Sequence, residues 1–143
     1  MKSKIQFSVF SVCACLIAFS CSNRSVKDNQ SYLVRIADVV IESKRTLGRL
    51  PGSIDEALEN SKRKLPHRGD INGRMVHYLN LGNRAFIIRS VGLNRKDEGG
   101  AGDDVQLNFA DEMQVSLEEL SRFLKANDPG IWEIFPEIFN PRH

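Results

Sequence analysis

The sequence predicts an α+β domain: an amphipathic N-terminal helix packed on a small antiparallel sheet of three or more strands, with additional C-terminal helices. Three observations carry that expectation. Apolar residues recur at three- and four-residue spacing between 33 and 47, strand-forming runs at 75–81, 84–90 and 105–109 alternate with turn residues, and a helix-capping pattern opens at Ser116. With 143 residues, 41% hydrophobic and 27% charged, the chain suits one domain with a modest core.

The first element is an address. Lys2 and Lys4 precede an apolar run over 5–19, broken only by Gln6, Ser8 and Ser11, and the segment 1–20 reads as a secretory signal peptide. Ala18 and Ser20 satisfy the small-x-small cleavage rule, so Cys21 becomes the new N-terminus. This arrangement resembles a bacterial lipoprotein lipobox, which implies lipid attachment at Cys21; ordinary cleavage leaving a free cysteine is the alternative. Cys13 and Cys15 lie inside the discarded segment, so the mature chain has one cysteine and no intramolecular disulfide. A spanning helix needs about 20 apolar residues, whereas this run is shorter and a polar stretch follows it. Membrane attachment is therefore assigned to acyl chains, each buried methylene contributing about 0.8 kcal/mol, with 21–29 as a polar tether.

Asp28 is the expected cap of the first domain helix, in which Leu33, Ile36, Ala37, Val40, Ile41 and Leu47 share one face and Gly48 is the stop. Leu50-Pro51-Gly52 breaks the chain. Ser53-Ile54-Asp55-Glu56 then reads as a capping box opening a short helix over 54–61. Asp70-Ile71-Asn72-Gly73 is a turn signal before the first strand, Gly82-Asn83 closes a hairpin onto the second, and a glycine-rich loop leads to the third. Ser116-Leu117-Glu118-Glu119 is a second capping box, for a helix ending near Asn127. Beyond the Asp128-Pro129-Gly130 turn, Trp132, Phe135 and Phe139 fall at helical spacing in a tail that closes the core or meets a partner. The expected organisation is thus a domain over 30–110 with a helical extension over 111–143 packed on it.

Charge narrows the function. Lys2 and Lys4 supply the whole formal excess of +2, so the mature chain is neutral and a nucleic-acid partner loses its usual support. Residues 21–95 carry 14 basic and 7 acidic groups, and 96–143 carry 4 and 11. Internal complementarity between the halves is the favoured reading, opposed binding faces the other.

The run of helix, Leu50-Pro51-Gly52-Ser53-Ile54-Asp55-Glu56-Ala57-Leu58, Asp-x-x-Gly turn and hairpin, with Ser90-Val91-Gly92-Leu93-Asn94-Arg95-Lys96 and Gly99-Gly100-Ala101-Gly102-Asp103-Asp104-Val105, resembles the globular domain of the major pseudopilin of type II secretion. The likeness covers about residues 30–109. It implies a non-enzymatic envelope protein associated with a secretion-type assembly, and a calcium-binding loop in which Asn94, Asp97, Asp103 and Asp104 offer side-chain oxygens and carbonyls near Val91 and Leu93 complete the set. Asn94 stands where the family has aspartate and Arg95 where it has glycine, so affinity falls. The other reading is a solvated acidic loop. Pseudopilins also carry a prepilin peptidase site, with a glycine before the apolar helix and a glutamate inside it. Here the first glycine is Gly48 and the first glutamate Glu42, so lipoprotein processing replaces it.

No catalytic constellation emerges. His67, His77 and His143 lack metal-ligand spacing, and the glycines at 99–102 have no phosphate-contacting lysine. The expected role is a lipid-anchored protein of the bacterial cell envelope, facing the periplasm or the exterior. The alternative is a small lipoprotein that binds a ligand or protein through its acidic half or aromatic tail.

Overall fold

The computed structural model describes residues 7–65, 69–82, 84–92, 94–96, 98, 104–128 and 130, with side chains from Val26 onward. Its order is α1 (Phe7–Leu47), α2 (Ile54–Glu59), β1 (Val76–Asn80), β2 (Ala85–Ser90), β3 (Val105–Ala110), β4 (Met113–Val115) and α3 (Leu117–Asn127). The expected α+β class is the observed one.

The first helix does not begin at Asp28. No glycine or proline interrupts the chain before Gly48, so helical hydrogen bonding runs on through the segment expected as a tether, and Asp28 sits exposed inside α1. At 41 residues α1 is about 60 Å long. It stops where the apolar rhythm stops: Gly48 adopts φ 71° and its N–H returns to the Lys44 carbonyl, a left-handed exit suited to glycine.

The two capping boxes differ. At α3 the box is complete, Ser116 accepting from the Glu119 N–H while the Glu119 carboxylate accepts from the Ser116 N–H. At α2 only the serine half forms. Ser53 Oγ accepts from the Glu56 N–H, but Glu56 takes the N–H of Gly52 and the guanidinium of Arg49 instead. The nearby arginine redirects the carboxylate.

The sheet is an antiparallel meander in the order β1-β2-β3-β4. Side chains alternate between its faces, and each face has its own cover. Tyr78, Phe86, Ile88, Leu107 and Phe109 meet α1 and α2, through Leu33, Ile36, Val40 and Ala57. Ala85, Ile87 and Ala110 meet Leu120 and Leu124 of α3. Because β2 is central and covered on both sides, its sequence is a continuous apolar run rather than an alternation. Phe86 and Phe109, paired across strands, stack with ring centres 4.7 Å apart, and Tyr78 tilts against Phe86 at 5.9 Å.

The fourth strand had no sequence signal. It is three residues long, and the turn before it, Asp111-Glu112, has φ 48° and 69° without a glycine. Tertiary contacts hold that turn: Arg84 grips Asp111 with two bonds of 2.6 and 2.7 Å, and Glu112 meets Lys44 and Arg45 of α1. These pairs join the basic and acidic halves, the complementarity expected from their charge.

Ile36 and Val40 are fully buried between α1 and the sheet. Ile36→Asp or Val40→Asp puts an unpaired carboxylate there, which consumes a large share of the roughly 5–15 kcal/mol that stabilise a domain. Thermal melts should show no cooperative transition for either variant. Gln30→Ala, on the exposed side of α1, stays within about 0.5 kcal/mol of wild type.

Candidate functional site

The polar residues with the most partners gather where α1 enters the domain. Asp70 opens the turn before β1, and its carboxylate folds that turn around itself: Oδ1 accepts from the N–H groups of Asn72 (2.8 Å) and Arg74 (2.9 Å). Its other oxygen accepts from Arg74 Nε at 2.9 Å and from Ser90 Oγ at 2.6 Å. Asn29 of α1 then donates to Ser90 Oγ at 3.1 Å and accepts from the Ile71 N–H at 3.3 Å. Turn, strand and helix are thereby tied by one network whose Asp70 and Ser90 have no exposed surface. Gly69 permits the closure: a Cβ there would stand 2.5 Å from the Arg74 carbonyl oxygen, which accepts the Asp70 N–H.

Burial by itself pushes the Asp70 carboxyl up. The hydrogen bonds from Ser90, Arg74 and Asn72 and the Arg74 charge together outweigh it and hold the group below the usual carboxylate range. Sequence reading found the turn but not this network. Its one visible trace is a serine placed on the core side of an apolar strand.

The loop joining β2 to β3 leaves from the same end, since Ser90 pairs with Val105. Of the four side chains expected to hold calcium, the described residues include Asn94 and Asp104, while Asp97 and Asp103 lie outside them. Asp104 spans the loop, accepting from the N–H of Gly92 at 3.1 Å and of Glu98 at 2.8 Å. Asn94 is exposed and accepts from the Lys96 N–H at 2.7 Å. Both side chains thus shape the backbone of the loop. Among the described residues no three His, Cys, Asp or Glu side chains group as a metal site. Cys21 falls within the helical backbone of α1, and its side chain lies outside the described part.

Catalytic geometry finds little support. Ser90 and Asp70 are in hydrogen-bond contact but out of reach of a substrate. His77 lies on β1 opposite Arg89, and His67 and His143 lie outside the described residues, as does the aromatic tail. A cleft of about 580 Å³ runs beside β1, lined by Gly52, Ser53, Asp55, Arg74, Met75 and Tyr78. Its one phenol is unsuited to proton transfer at neutral pH. Burial, with the nearby Glu56 charge, pushes the Tyr78 hydroxyl up, and it donates to the Pro51 carbonyl at 2.8 Å.

The fold and this end of it define a small α+β domain carried on a long N-terminal helix. Set against family models, curated proteins and solved structures, the chain matches none of them. Among the described residues, no helix is long and apolar enough to cross a membrane.

Removing the Asp70 carboxylate strands Arg74, Ser90 and two backbone N–H groups, so Asp70→Ala should cost about 3 kcal/mol at neutral pH. The native carboxyl titrates below the unfolded one. Its contribution is therefore complete above the unfolded value and disappears as pH falls through the native one. Urea titrations of wild type and Asp70→Asn should differ most at neutral pH, begin to converge below about pH 4, near the unfolded value, and meet only once the pH has fallen through the lower native one.

Proposed function

We propose that the protein is a lipid-anchored, non-enzymatic, pseudopilin-like component of the bacterial cell envelope, held at Cys21 and facing the periplasm or the exterior. On this reading it associates with proteins of a type II secretion or related assembly rather than with nucleic acid. The observation that supports it best is architectural. Beyond Cys21, an amphipathic helix lies on an antiparallel meander, the α+β arrangement that the pseudopilin resemblance implies for the globular domain.

Calcium belongs to the same proposal. Asn94 and Asp104 already fold the loop backbone, and Asp97 and Asp103 lie within the same stretch of sequence, so the loop can offer hard oxygen ligands to a cation that takes six to eight of them.

Labelling cells with a fatty-acid analogue should mark wild-type protein and leave Cys21→Ser unmarked and released from membranes. Equal labelling of the two, or a wild type without label, overturns the anchor. For the loop, millimolar calcium should raise the melting temperature of the detergent-solubilised chain, by an amount corresponding to about 2.7 kcal/mol at a hundredfold excess over the dissociation constant. Asp103→Ala combined with Asp104→Ala should abolish the rise, and Asn94→Asp should enlarge it. Melting that calcium leaves unchanged even in Asn94→Asp removes the metal from the proposal.

A further inference from the structure

We propose that the end of the domain bearing Val26, Ile71 and Met75 sits in the lipid interface, so that the domain is docked on the bilayer and not merely tethered to it. The proposal deepens the anchoring at Cys21 and rests on that reading for its geometry. Four large apolar side chains are exposed among the described residues: Val26 (42%), Ile71 (40%), Met75 (67%) and Met113 (69%). Singly, such side chains are ordinary on a protein surface. Three of these four share one end.

Their placement follows from bonds already described. The Ile71 N–H is held by the Asn29 side chain, and Val26 lies one helical turn before Asn29 on the same face. Met75 immediately precedes Val76, which pairs with Ser90, the other partner of Asn29. Met113 stands at the opposite end, next to Glu112 and its ion pairs with Lys44 and Arg45. The buried Asp70 fixes the turn in a shape that leaves Ile71 facing solvent.

The occupant follows from where the anchored residue lies. The stretch of α1 that carries Cys21 enters the domain at this end. At 1.5 Å per residue, Val26 lies about 8 Å along α1 from Cys21, within the roughly 5–10 Å to which apolar side chains enter the headgroup and acyl boundary. Exposed charges there are mixed, Lys27, Arg95 and Lys96 against Asp28 and Glu98. The contact is therefore apolar and does not require anionic lipid.

Tryptophan placed at these positions reports on it, because Trp132 is the only one in the chain. In a Trp132→Phe background, full-length protein carrying Ile71→Trp, Met75→Trp or Met113→Trp is reconstituted into phosphatidylcholine vesicles with brominated acyl chains. Emission at 71 and 75 should be blue-shifted and quenched at least about twofold more strongly than at 113, as interfacial burial demands. Equal quenching at all three overturns the docked face. Fatty-acid labelling of the same preparations reads the anchor separately: acylation without differential quenching leaves the anchor and removes the face, and differential quenching without acylation does the reverse.

Discussion

A carboxylate with no exposed surface, Asp70, sets the geometry on which the rest of the molecule depends. A buried charge is tolerated only when its oxygens are occupied, and Asp70 meets that demand with two backbone N–H groups, one guanidinium and one hydroxyl. Each partner constrains a different part of the chain. The backbone bonds close the turn that starts β1, Arg74 carries the charge balance, and Ser90 passes the constraint to the central strand and on to Asn29 of α1. The rotation of the helix about its own axis is therefore specified by hydrogen bonds as well as by apolar packing, which alone is non-directional.

Around that network the domain is arranged in three layers. Helices α1 and α2 cover one face of the sheet and α3 the other, so β2 and β3 are protected on both sides while β1 and β4 remain edges. The edges are kept short, at five and three residues, which limits their use as templates for pairing with other chains. Charges do their part at the far end. There Arg84 and Asp111 sit beside Lys44, Arg45 and Glu112, closing a turn that its own residue types do not favour.

The two ends consequently differ in character. One holds the entering helix, the buried polar network, the loop between β2 and β3 and most of the exposed apolar side chains. The other presents ion pairs and tight turns. Under the proposed anchoring, the first end faces lipid and the other stays in water. The envelope reading and the docked face both draw on this difference, and neither depends on a catalytic group.

Much of the fold was legible in the sequence because local chemistry and tertiary need agreed. The 3.6-residue rhythm of Leu33, Ile36 and Val40 is the face that packs on the sheet, while Leu47, expected on it, is half-buried and outside that core; Gly48 ends the helix, Ser116 and Glu119 form their box, and the three longer strands fall where β-formers cluster. Other features needed partners remote in sequence. Glu56 left its expected cap because Arg49 and Gly52 came within reach, and α1 ran past Asp28 because a capping residue does not interrupt a helix that is already propagating. The Asp111-Glu112 turn and β4 exist through Arg84, Lys44 and Arg45, and the Asn29–Ser90–Asp70 network joins residues 20 to 61 positions apart. Sequence by itself determines what repeats along the chain, periodicity and capping. Only the tertiary structure decides which distant polar groups meet, because a hydrogen bond between them forms once the core has brought both strands and helix to the same place.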